Sequence, residues 1–431
     1  MTKILPKGDK KLLHAWAFYD WANSVYSLVI ASAVFPLFYG ALFDEGVESW
    51  PIFGIEIDQT SIIVYTTAVA FAIVSIISPI LSGIADYVGN KKMFLKFFCY
   101  LGAGATMGLY FFNLEEIYLG LALYLTALVG FWASLVFYNS YLPDIAYPEQ
   151  QDTISAKGFS LGYIGSVILL VICLVMILGN ELIGLERGQA TRFSFLLTGI
   201  WWIGFSQYSY KYLPEGNKTD GGFSKTILLR GFNELRNIWN ELKKQKRLKR
   251  YLNAFFVYSM AVQTVMLAAA YFGERELEWG SDDERTIGLI VSILLIQLVA
   301  VVGAFALSKL SSKIGNVKAL IWVNLFWIII CAYSYFVTTP FQFYIAAGMV
   351  GLVMGGIQAL SRSTYAKFLP ETEDTTSYFS FYDVAEKIGI IIGMGLYGYV
   401  GDRFGSQRYS ILFLILFFAV GVVLLLRVPK K

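Results

Sequence analysis

The chain of 431 residues has the composition of a membrane protein, because 57% of its residues are hydrophobic, 15% are charged and its mean hydropathy is +0.59. This composition excludes an ordinary water-soluble domain, and a net charge of +3 gives no reason to expect a nucleic-acid partner. The three cysteines lie inside apolar runs, so neither a disulfide framework nor a metal site such as zinc is expected.

Twelve apolar runs divide the chain, and several exceed the ~20 residues that a helix needs to cross ~30 Å of hydrocarbon. They lack the strict alternation of β-strands, and only helices or closed barrels satisfy the backbone in lipid. We therefore predict an all-α polytopic membrane protein with twelve transmembrane helices. The predicted spans are Ala15–Phe43, Gln59–Ala85, Met93–Phe112, Glu116–Asn139, Ile154–Leu178, Phe193–Leu213, Tyr251–Gly273, Thr286–Ser308, Val317–Val337, Phe341–Tyr365, Tyr378–Val400 and Tyr409–Val428.

The lysines and arginines predict the orientation of the bundle. If the N-terminus is cytosolic, 27 of the 34 basic residues fall in cytosolic segments, six fall in external segments and Lys387 lies within a helix. This bias is a strong positive-inside signal, so both termini are expected in the cytosol. The first apolar run is too long for a signal peptide and lacks a small-residue cleavage site, which predicts a membrane helix.

The first predicted helix carries an acidic residue inside the membrane. Asp20 lies within Trp16–Ser24, about 7 Å along the helix from Ala15. A carboxylate at this depth is costly and marks a functional site by default. Asn23 and Ser24 share its helix face and are expected to hydrogen-bond to it. The alternative is that Asp20 lies at the inner interface and pairs with a loop lysine.

A turn with two glycines joins the second and third predicted helices. Asp86 is expected to cap the third helix, and the two lysines are expected to remain in the cytosol. The residues Gly83, Asp86, Gly89, Lys91 and Lys92 resemble the signature that the major facilitator superfamily carries between helices 2 and 3. In that superfamily the segment holds the two halves together on the cytosolic side, and the resemblance implies the same role here. A simple loop turn would explain the same residues.

Two internal echoes indicate that the chain contains two related halves. Gly89–Lys92 recurs as Gly315–Lys318 between the eighth and ninth predicted helices, although Ser312 replaces the acid there. Tyr141–Asp144 recurs as Phe368–Glu371, between the fourth and fifth helix of each half. Parallel repeats about an axis normal to the membrane are a property of transporter folds. We therefore predict two pseudo-symmetric six-helix halves.

Glycines four residues apart predict close helix contacts within the bundle. The pairs are Gly104 with Gly108, Gly158 with Gly162, and Gly389 with Gly393. The first pair also has the spacing of part of a dinucleotide-binding loop, but it lies in an apolar run with no preceding strand.

The polar segment 214–250 separates the predicted halves, 1–213 and 251–431. Within it, Phe223–Lys249 has apolar residues at helical spacing on one face and many lysines and arginines elsewhere. A basic amphipathic helix at this place is expected to lie along the inner membrane surface. The alternative is a solvated linker with a helical tendency.

The tenth and eleventh predicted helices carry further polar candidates. Gln358 and Arg362 lie near the end of the tenth helix. Asp383 and Lys387, four residues apart in the eleventh, share a face and are expected to neutralise each other. Glu386 is expected to point about 100° away from Lys387, toward another neighbour. Three ionisable residues in one turn of a membrane helix indicate a functional cluster, and a purely structural ion pair is the alternative.

Together these segments resemble a narrower family, the autophagy-type vacuolar effluxers of the major facilitator superfamily and their bacterial relatives. The resemblance is carried by Trp16–Ser24, Tyr141–Asp144, Ser155–Phe159, Gly356–Ser363, Phe379–Lys387 and Gly401–Arg408. Fungal members are implicated in releasing amino acids from the vacuole, whereas the substrate of bacterial members is largely unassigned. The resemblance implies a secondary transporter in a bacterial inner membrane, with amino acids as the leading candidate substrate.

We therefore predict a monomeric secondary transporter, surrounded by membrane lipid and without a cofactor, that exports a small solute by alternating access. A cavity with aromatic rings, one cation and one or two carboxylates would suit a zwitterion such as an amino acid. Titration of Asp20 or Glu386 could couple transport to protons. The candidate substrate and coupling residues are Tyr19, Asp20, Asn23, Asn139, Gln358, Arg362, Asp383, Glu386 and Lys387, and further cavity candidates are Trp132, Tyr138, Tyr258 and Gln263.

Other classes of function are weighed against transport. An enzyme is disfavoured because the only histidine, His14, is expected in the cytosolic tail, so no Ser–His or His–metal site can form within the membrane. The sequence has no G-x-x-x-x-G-K-[ST] loop, which argues against direct ATP drive. The remaining alternatives are a non-transporting sensor or scaffold that recruits a partner through 214–250, and a transporter of a lipid, a drug or another metabolite.

Overall fold

The computed structural model describes residues 5–43, 47, 49–216 and 225–430, and most of them are helical. Eleven helices in this part of the chain are long and apolar enough to cross a membrane. They are numbered here in chain order together with a twelfth, more polar helix, Arg187–Tyr212. They are α1 (Lys10–Gly40), α2 (Gln59–Val88), α3 (Lys91–Gly108), α4 (Ile117–Ile145), α5 (Pro148–Leu178), α6 (Arg187–Tyr212), α7 (Lys246–Glu276), α8 (Asp282–Ile314), α9 (Asn316–Tyr335), α10 (Pro340–Phe368), α11 (Thr375–Phe404) and α12 (Gln407–Leu426).

The helix α6 is the more polar one, because serine, threonine, glutamine and arginine interrupt its apolar sequence. Its 26 residues extend for about 39 Å, which is enough to span ~30 Å of hydrocarbon. It packs against α1 and α3 inside the first half. The predicted all-α polytopic fold is confirmed, with six long helices before the linker and six after it.

Short polar side chains and glycine set the ends of the helices. The Asp9 carboxylate accepts from Lys11 N at 2.8 Å and caps the start of α1. Gly89 ends α2 with a φ of 67°, which favours glycine. Asn90 then caps α3 by accepting from Met93 N at 3.2 Å. The expectation that Asp86 caps α3 is therefore wrong, because Asn90 occupies that position.

The helix α1 changes its hydrogen-bond pattern along its length. It is π-helical at Tyr26–Val34 and returns to an α-helix before it ends. Such wider turns are often found at functional sites. His14, expected in the cytosolic tail, lies within α1, where its ring packs edge-on against Phe18 and Tyr208.

A two-stranded antiparallel hairpin connects α1 to α2. It comprises β1 (Ser49–Ile52) and β2 (Ile55–Asp58), and the turn residue Phe53 has a positive φ of 50°. The Phe53 amide donates to the Tyr118 hydroxyl at 3.0 Å. This bond fixes the hairpin to the start of α4.

In the described part of the chain the two halves meet mainly along five pairs of helices: α2 contacts α11, α4 contacts α10 and α11, and α5 contacts α8 and α10. Hydrogen bonds join the α2–α3 turn to the start of α11 and the start of α5 to the α8–α9 turn. We call the end of the bundle that carries these turns the basic end, because Lys91, Lys92, Lys318 and Lys367 lie there.

The segment between the halves forms a helix, the linker helix (Lys225–Lys244), and α7 then begins at Lys246. The predicted helix Phe223–Lys249 is therefore interrupted after Lys244, and its first residues, within 217–224, lie outside the described residues. Ile238 and Leu242 are only 2% and 3% exposed, because they pack against the bundle. Their predicted contact with the membrane surface is wrong.

Glycines bring α3 and α4 into backbone contact. A Cβ atom added to Gly130 would lie 2.4 Å from Gly102 Cα and 2.8 Å from the Phe98 carbonyl oxygen, so no side chain fits there. Gly108 packs against Leu123, whereas a Cβ atom on Gly104 would meet nothing within 4 Å. The predicted packing role of Gly104 is wrong, and Gly102 supplies the contact instead.

We expect Gly130→Ala to lower the free energy of unfolding by about 2 kcal/mol, because the added methyl group overlaps backbone atoms that cannot rotate away. The matched control is Gly104→Ala, which should be neutral or stabilising by up to about 1 kcal/mol because alanine favours the helix. Both variants can be compared by SDS titration in mixed micelles. Equal stability of the two variants would contradict the assigned α3–α4 contact.

Candidate functional site

A buried ion pair joins the two halves inside the bundle. Arg362 of α10 donates from Nη2 to Asp20 Oδ2 of α1 at 3.2 Å, and the two side chains are 3% and 5% exposed. Tyr138 of α4 donates its hydroxyl to the same carboxylate oxygen at 2.8 Å. The expected partners of Asp20, a loop lysine or Asn23 and Ser24, are therefore wrong, because an arginine of the opposite half occupies this place.

All five N–H donors of Arg362 are engaged. Nε donates to Ser155 Oγ at 2.9 Å, and Nη2 donates to the Ser155 carbonyl oxygen at 3.0 Å. Nη1 donates to Asn139 Oδ1 at 3.1 Å and to Asp20 Oδ2 at 3.3 Å. The Nη2–Asp20 bond completes the set, so the guanidinium has no donor left for a ligand. In this conformation Arg362 fastens α10 to α1, α4 and α5.

Aromatic rings enclose the same guanidinium. Its central carbon lies 4.2 Å from the ring centroid of Phe159, 4.7 Å from that of Trp16 and 5.4 Å from that of Tyr138. The Trp16 ring is stacked on Tyr138, and its indole N–H donates to the Tyr138 carbonyl oxygen at 2.9 Å. Arginine suits such a site because its planar group is weakly hydrated and stacks on aromatic faces.

Two glycines of α5 leave the space for this pair. A Cβ atom on Gly158 would lie 2.5 Å from Asp20 Oδ2 and 3.1 Å from Arg362 Nη2. A Cβ atom on Gly162, one turn further, would lie 2.4 Å from Ser24 Oγ. The predicted close packing at Gly158 and Gly162 is present, and it allows α5 to lie directly against α1.

A second charged cluster lies in α11. Lys387 is fully buried and donates to Asp383 Oδ1 at 2.5 Å and to Glu386 Oε2 at 2.9 Å. Gln263 of α7 donates to Glu386 Oε1 at 2.7 Å. The Lys387 ammonium lies 3.9 Å from the ring centroid of Trp132 in α4, so the cluster also contacts the other half. The expected Asp383–Lys387 pair is present, but Glu386 does not point away, because its long side chain returns to the lysine.

This second cluster carries an excess of acidic groups, because two carboxylates share one ammonium. Lys387 is 0% exposed and the Asp383 side chain is 6% exposed, whereas Glu386 is 17% exposed. Asp383 Oδ2 has no hydrogen-bond partner among the described residues. Glu386 is therefore the charged group of this cluster with the most room for a ligand.

Two further polar candidates, Gln358 and Tyr258, have hydrogen-bond partners of their own. The Tyr163 hydroxyl donates to Gln358 Oε1 at 2.5 Å, and the Gln358 amide contacts Met266 Sδ at 3.6 Å. The Tyr258 hydroxyl lies 2.7 Å from Ser361 Oγ, which belongs to the same half. Gln358 thus joins the halves through Tyr163, whereas Tyr258 is bound within the second half.

Tyr19 and Asn23 are fully buried within the first half. The Tyr19 ring lies 5.0 Å from that of Tyr138 and 6.2 Å from that of Tyr210, and Asn23 Oδ1 accepts from Ser24 Oγ at 3.4 Å. The Tyr19 hydroxyl and Asn23 Nδ2 lack hydrogen-bond partners in the described part of the chain. The structure does not bring these two candidates into hydrogen-bond contact with either charged cluster.

The turn between α2 and α3, with the residues Asp86 to Lys92 and called here the motif turn, binds the other half at the basic end. Asp86 Oδ2 accepts from the Ser377 amide at 2.6 Å and Oδ1 accepts from the Thr376 amide at 3.3 Å. These amides form the first turn of α11, where the free N–H groups and the helix dipole favour a carboxylate. Asp86 therefore caps a helix of the opposite half, with Gly83 buried one turn before it.

The two lysines of the motif have different partners. Lys91 forms an ion pair with Asp144 and donates to Thr375 Oγ1 of α11 at 2.8 Å. Lys92 is buried and donates to the Leu213 carbonyl oxygen at 2.9 Å. Lys91 therefore joins the halves, while Lys92 binds the start of the linker.

A third carboxylate joins the halves near the α8–α9 turn. Asp152 of α5 accepts from Lys367 Nζ at 2.6 Å, from Asn316 Nδ2 at 2.7 Å and from Ser311 Oγ at 3.0 Å. Asn316 belongs to the second copy of the motif, in which Ser312 replaces the acid. The missing acid is thus supplied by the opposite half. Sequence reasoning did not select Asp152, although its position before a predicted helix and opposite a lysine-bearing loop was a usable signal.

We expect Asp20→Asn to lower the free energy of unfolding by about 3 kcal/mol, because it leaves the Arg362 charge buried without a counter-charge. Arg362→Gln should have a similar cost for the converse reason. The double variant should cost less than the sum of both, with a coupling energy of about 2 kcal/mol. SDS titration of the four proteins measures this cycle, and strictly additive effects would disprove the pair.

Residues 8–431 match the family described as "Vacuole effluxer Atg22 like". The chain is 32% identical over 429 residues to an uncharacterized MFS-type transporter, YxiO of Bacillus subtilis, with 99% of this chain and 96% of the relative covered. It is 25% identical over 459 residues to autophagy-related protein 22 of Eremothecium gossypii, with 94% and 88% covered.

Solved structures of the major facilitator superfamily have the same fold. FucP of Escherichia coli, in its outward conformation, gives a TM-score of 0.70 at 16% identity, with 98% of this chain and 99% of that chain covered. A bacterial homologue of ferroportin in its outward-facing state gives 0.65 at 10% identity, with 98% and 99% covered. The chain therefore belongs to the Atg22-like vacuole effluxer family, a family of secondary transporters within the major facilitator superfamily.

Proposed function

We propose that this transporter moves an amino acid or a similar zwitterion out of the cytosol in exchange for protons, with residues 1–213 and 251–431 rocking about a central cavity. The observation that supports this most directly is the Asp20–Arg362 pair. A carboxylate already binds the guanidinium there, and a substrate carboxylate has the chemistry to take its place.

The orientation of the bundle follows from the positive-inside rule, which assigns the basic end and both termini to the cytosol of a bacterial cell. On this assignment, the contacts of Asp20, Asp86 and Asp152 close the cytosolic side. The conformation described above is then the one that faces outward, and opening toward the cytosol requires all three contacts to separate.

Proton uptake at Asp20 supplies a route to that opening. Protonation removes the negative charge that holds Arg362, so the pair between α1 and α10 weakens. Because all five donors of Arg362 are engaged in the closed state, release of the Asp20 bonds frees donors for a substrate anion. The substrate carboxylate would then replace Asp20 on the cytosolic side, which couples proton entry to solute exit.

Glu386 is the group proposed for the substrate ammonium. It is the most exposed member of the α11 cluster, and that cluster has one carboxylate more than its single ammonium can balance. A cationic group would restore neutrality in a site of low dielectric constant, where an unbalanced charge is costly. Gln263 donates to Glu386 Oε1 as a neutral hydrogen-bonding group.

The first test is reconstitution into liposomes that are loaded with a mixture of labelled amino acids. We expect efflux of one chemical class, accelerated when the outside is acidified, because protons entering through Asp20 release the closed state. Loss of no amino acid under either condition would remove the proposed substrate and favour a lipid, a drug, another metabolite or a non-transporting sensor.

Two variants separate the proposed roles. Asp20→Asn cannot bind a proton, so we expect residual transport that no longer responds to acidification. Glu386→Gln removes the charge offered to the ammonium, so we expect KM to rise about tenfold, the effect of about 1.4 kcal/mol, with proton stimulation retained. Initial rates of efflux at several pH values and substrate concentrations measure both effects.

The matched control is Glu115→Gln, which alters an exposed acid before α4. We expect its rate and pH dependence to equal those of the unchanged protein. Proton stimulation that persists in Asp20→Asn would refute the role of Asp20, and an unchanged KM in Glu386→Gln would refute the ammonium site.

A further inference from the structure

The linker helix rests on both halves of the bundle at the basic end. It packs against α2 of the first half and against α11 of the second. Ile238 and Leu242 are buried beneath it, and the Trp239 ring lies 5.4 Å from that of Phe381 in α11. A connecting segment that only had to cover the distance between the halves would not need to bury these side chains.

Polar contacts place the linker helix directly over the contact made by Asp86. The Tyr378 hydroxyl donates to Glu241 Oε2 of the linker helix at 3.2 Å. The residue before it, Ser377, donates its amide to Asp86 of α2 at 2.6 Å. The first turn of α11 thus binds α2 through its backbone and the linker helix through the next side chain.

The start of the linker is fixed to the same turn. Pro214 O accepts from the Tyr141 hydroxyl at 2.9 Å, and Leu213 O accepts from Lys92. Gly216 has a φ of +79°, and a Cβ atom there would lie 1.8 Å from the Gly89 carbonyl oxygen. The segment before the linker helix is therefore in backbone contact with the motif turn. Both this segment and the linker helix thus depend on the position of α2.

We propose that the linker helix is a latch that stabilises the state in which the basic end is closed. The linker helix lies across α2 and α11, so separation of these two helices would remove its contacts with one of them and expose apolar side chains to water. Burial of apolar area that exists in one state and not in the other shifts the equilibrium toward the first. The inference rests on the alternating-access cycle of the proposed function.

The test is a distance measured between the halves at the basic end. Spin labels at Glu149→Cys of the first half and Glu371→Cys of the second, both exposed positions, report opening by pulsed electron paramagnetic resonance. The measurement uses a full-length background without the three native cysteines. We expect Ile238→Ser with Leu242→Ser to raise the ratio of open to closed molecules about tenfold or more, since two buried aliphatic side chains lose their apolar contacts.

A milder variant keeps the apolar face intact. Tyr378→Phe removes only the hydroxyl that binds Glu241, and we expect a smaller shift in the same direction, about threefold, as expected for a single hydrogen bond. The matched control, Asn237→Ser with Asn240→Ser, alters two exposed residues of the same helix and should leave the distances unchanged.

A positive control separates failure of the latch from failure of the transport cycle. Asp20→Asn weakens the ion pair between the halves and should itself increase the open population. If Asp20→Asn increases the open population, while Ile238→Ser with Leu242→Ser and Tyr378→Phe both match the control, the latch is refuted and alternating access stands. If no variant, including Asp20→Asn, gives the longer distance, the cycle and the latch both fail.

Discussion

Burial of one guanidinium constrains the whole interface between the halves. Removing Arg362 from water costs several kcal/mol, and the site offsets this with five hydrogen bonds, a carboxylate and three aromatic faces. These groups come from α1, α4, α5 and α10, so they are in place only when four helices of both halves meet. The four helices can pack together in this way only because residue 158 is a glycine: any side chain there would occupy the space of the ion pair. The buried ion pair therefore depends on contacts among all four helices.

The interface is electrically asymmetric. The first half contributes the carboxylates Asp20, Asp86 and Asp152, and the second half contributes their donors: a guanidinium, an ammonium and the amides at the start of α11. A repeat with strict symmetry would place one acid in each half. Here Ser312 stands where the second motif would have its acid, and the carboxylate comes from α5 instead. In these three contacts the first half presents the negative charge and the second half the donors, a complementarity that favours correct docking.

Local patterns predicted the helices, the two halves and most residues of the charged clusters, but not their pairing. Length and hydropathy predict each span, because a membrane helix needs no distant partner to satisfy its backbone. Asp20 is predicted from the cost of a charge in lipid and Arg362 from its place near the end of the tenth helix, yet the two are 342 positions apart, and no periodicity links them. Helical spacing predicts the direction of the Cα–Cβ bond of Glu386, but its side chain is long enough for the carboxylate to reach back to Lys387. Amphipathicity identified the apolar face of the linker helix, but only the structure says that protein covers it.

Aromatic residues at these junctions have an optical consequence. Trp16 lies against the Arg362 guanidinium, Trp132 faces the Lys387 ammonium, and Trp239 packs on Phe381 of α11. Each indole thus has a neighbour that belongs to the other half or crosses between the halves, and indole emission responds to nearby charge and to water. Three of the ten tryptophans therefore lie at contacts between parts of the protein, so that this part of its intrinsic fluorescence would respond to the relative position of the halves without any attached dye.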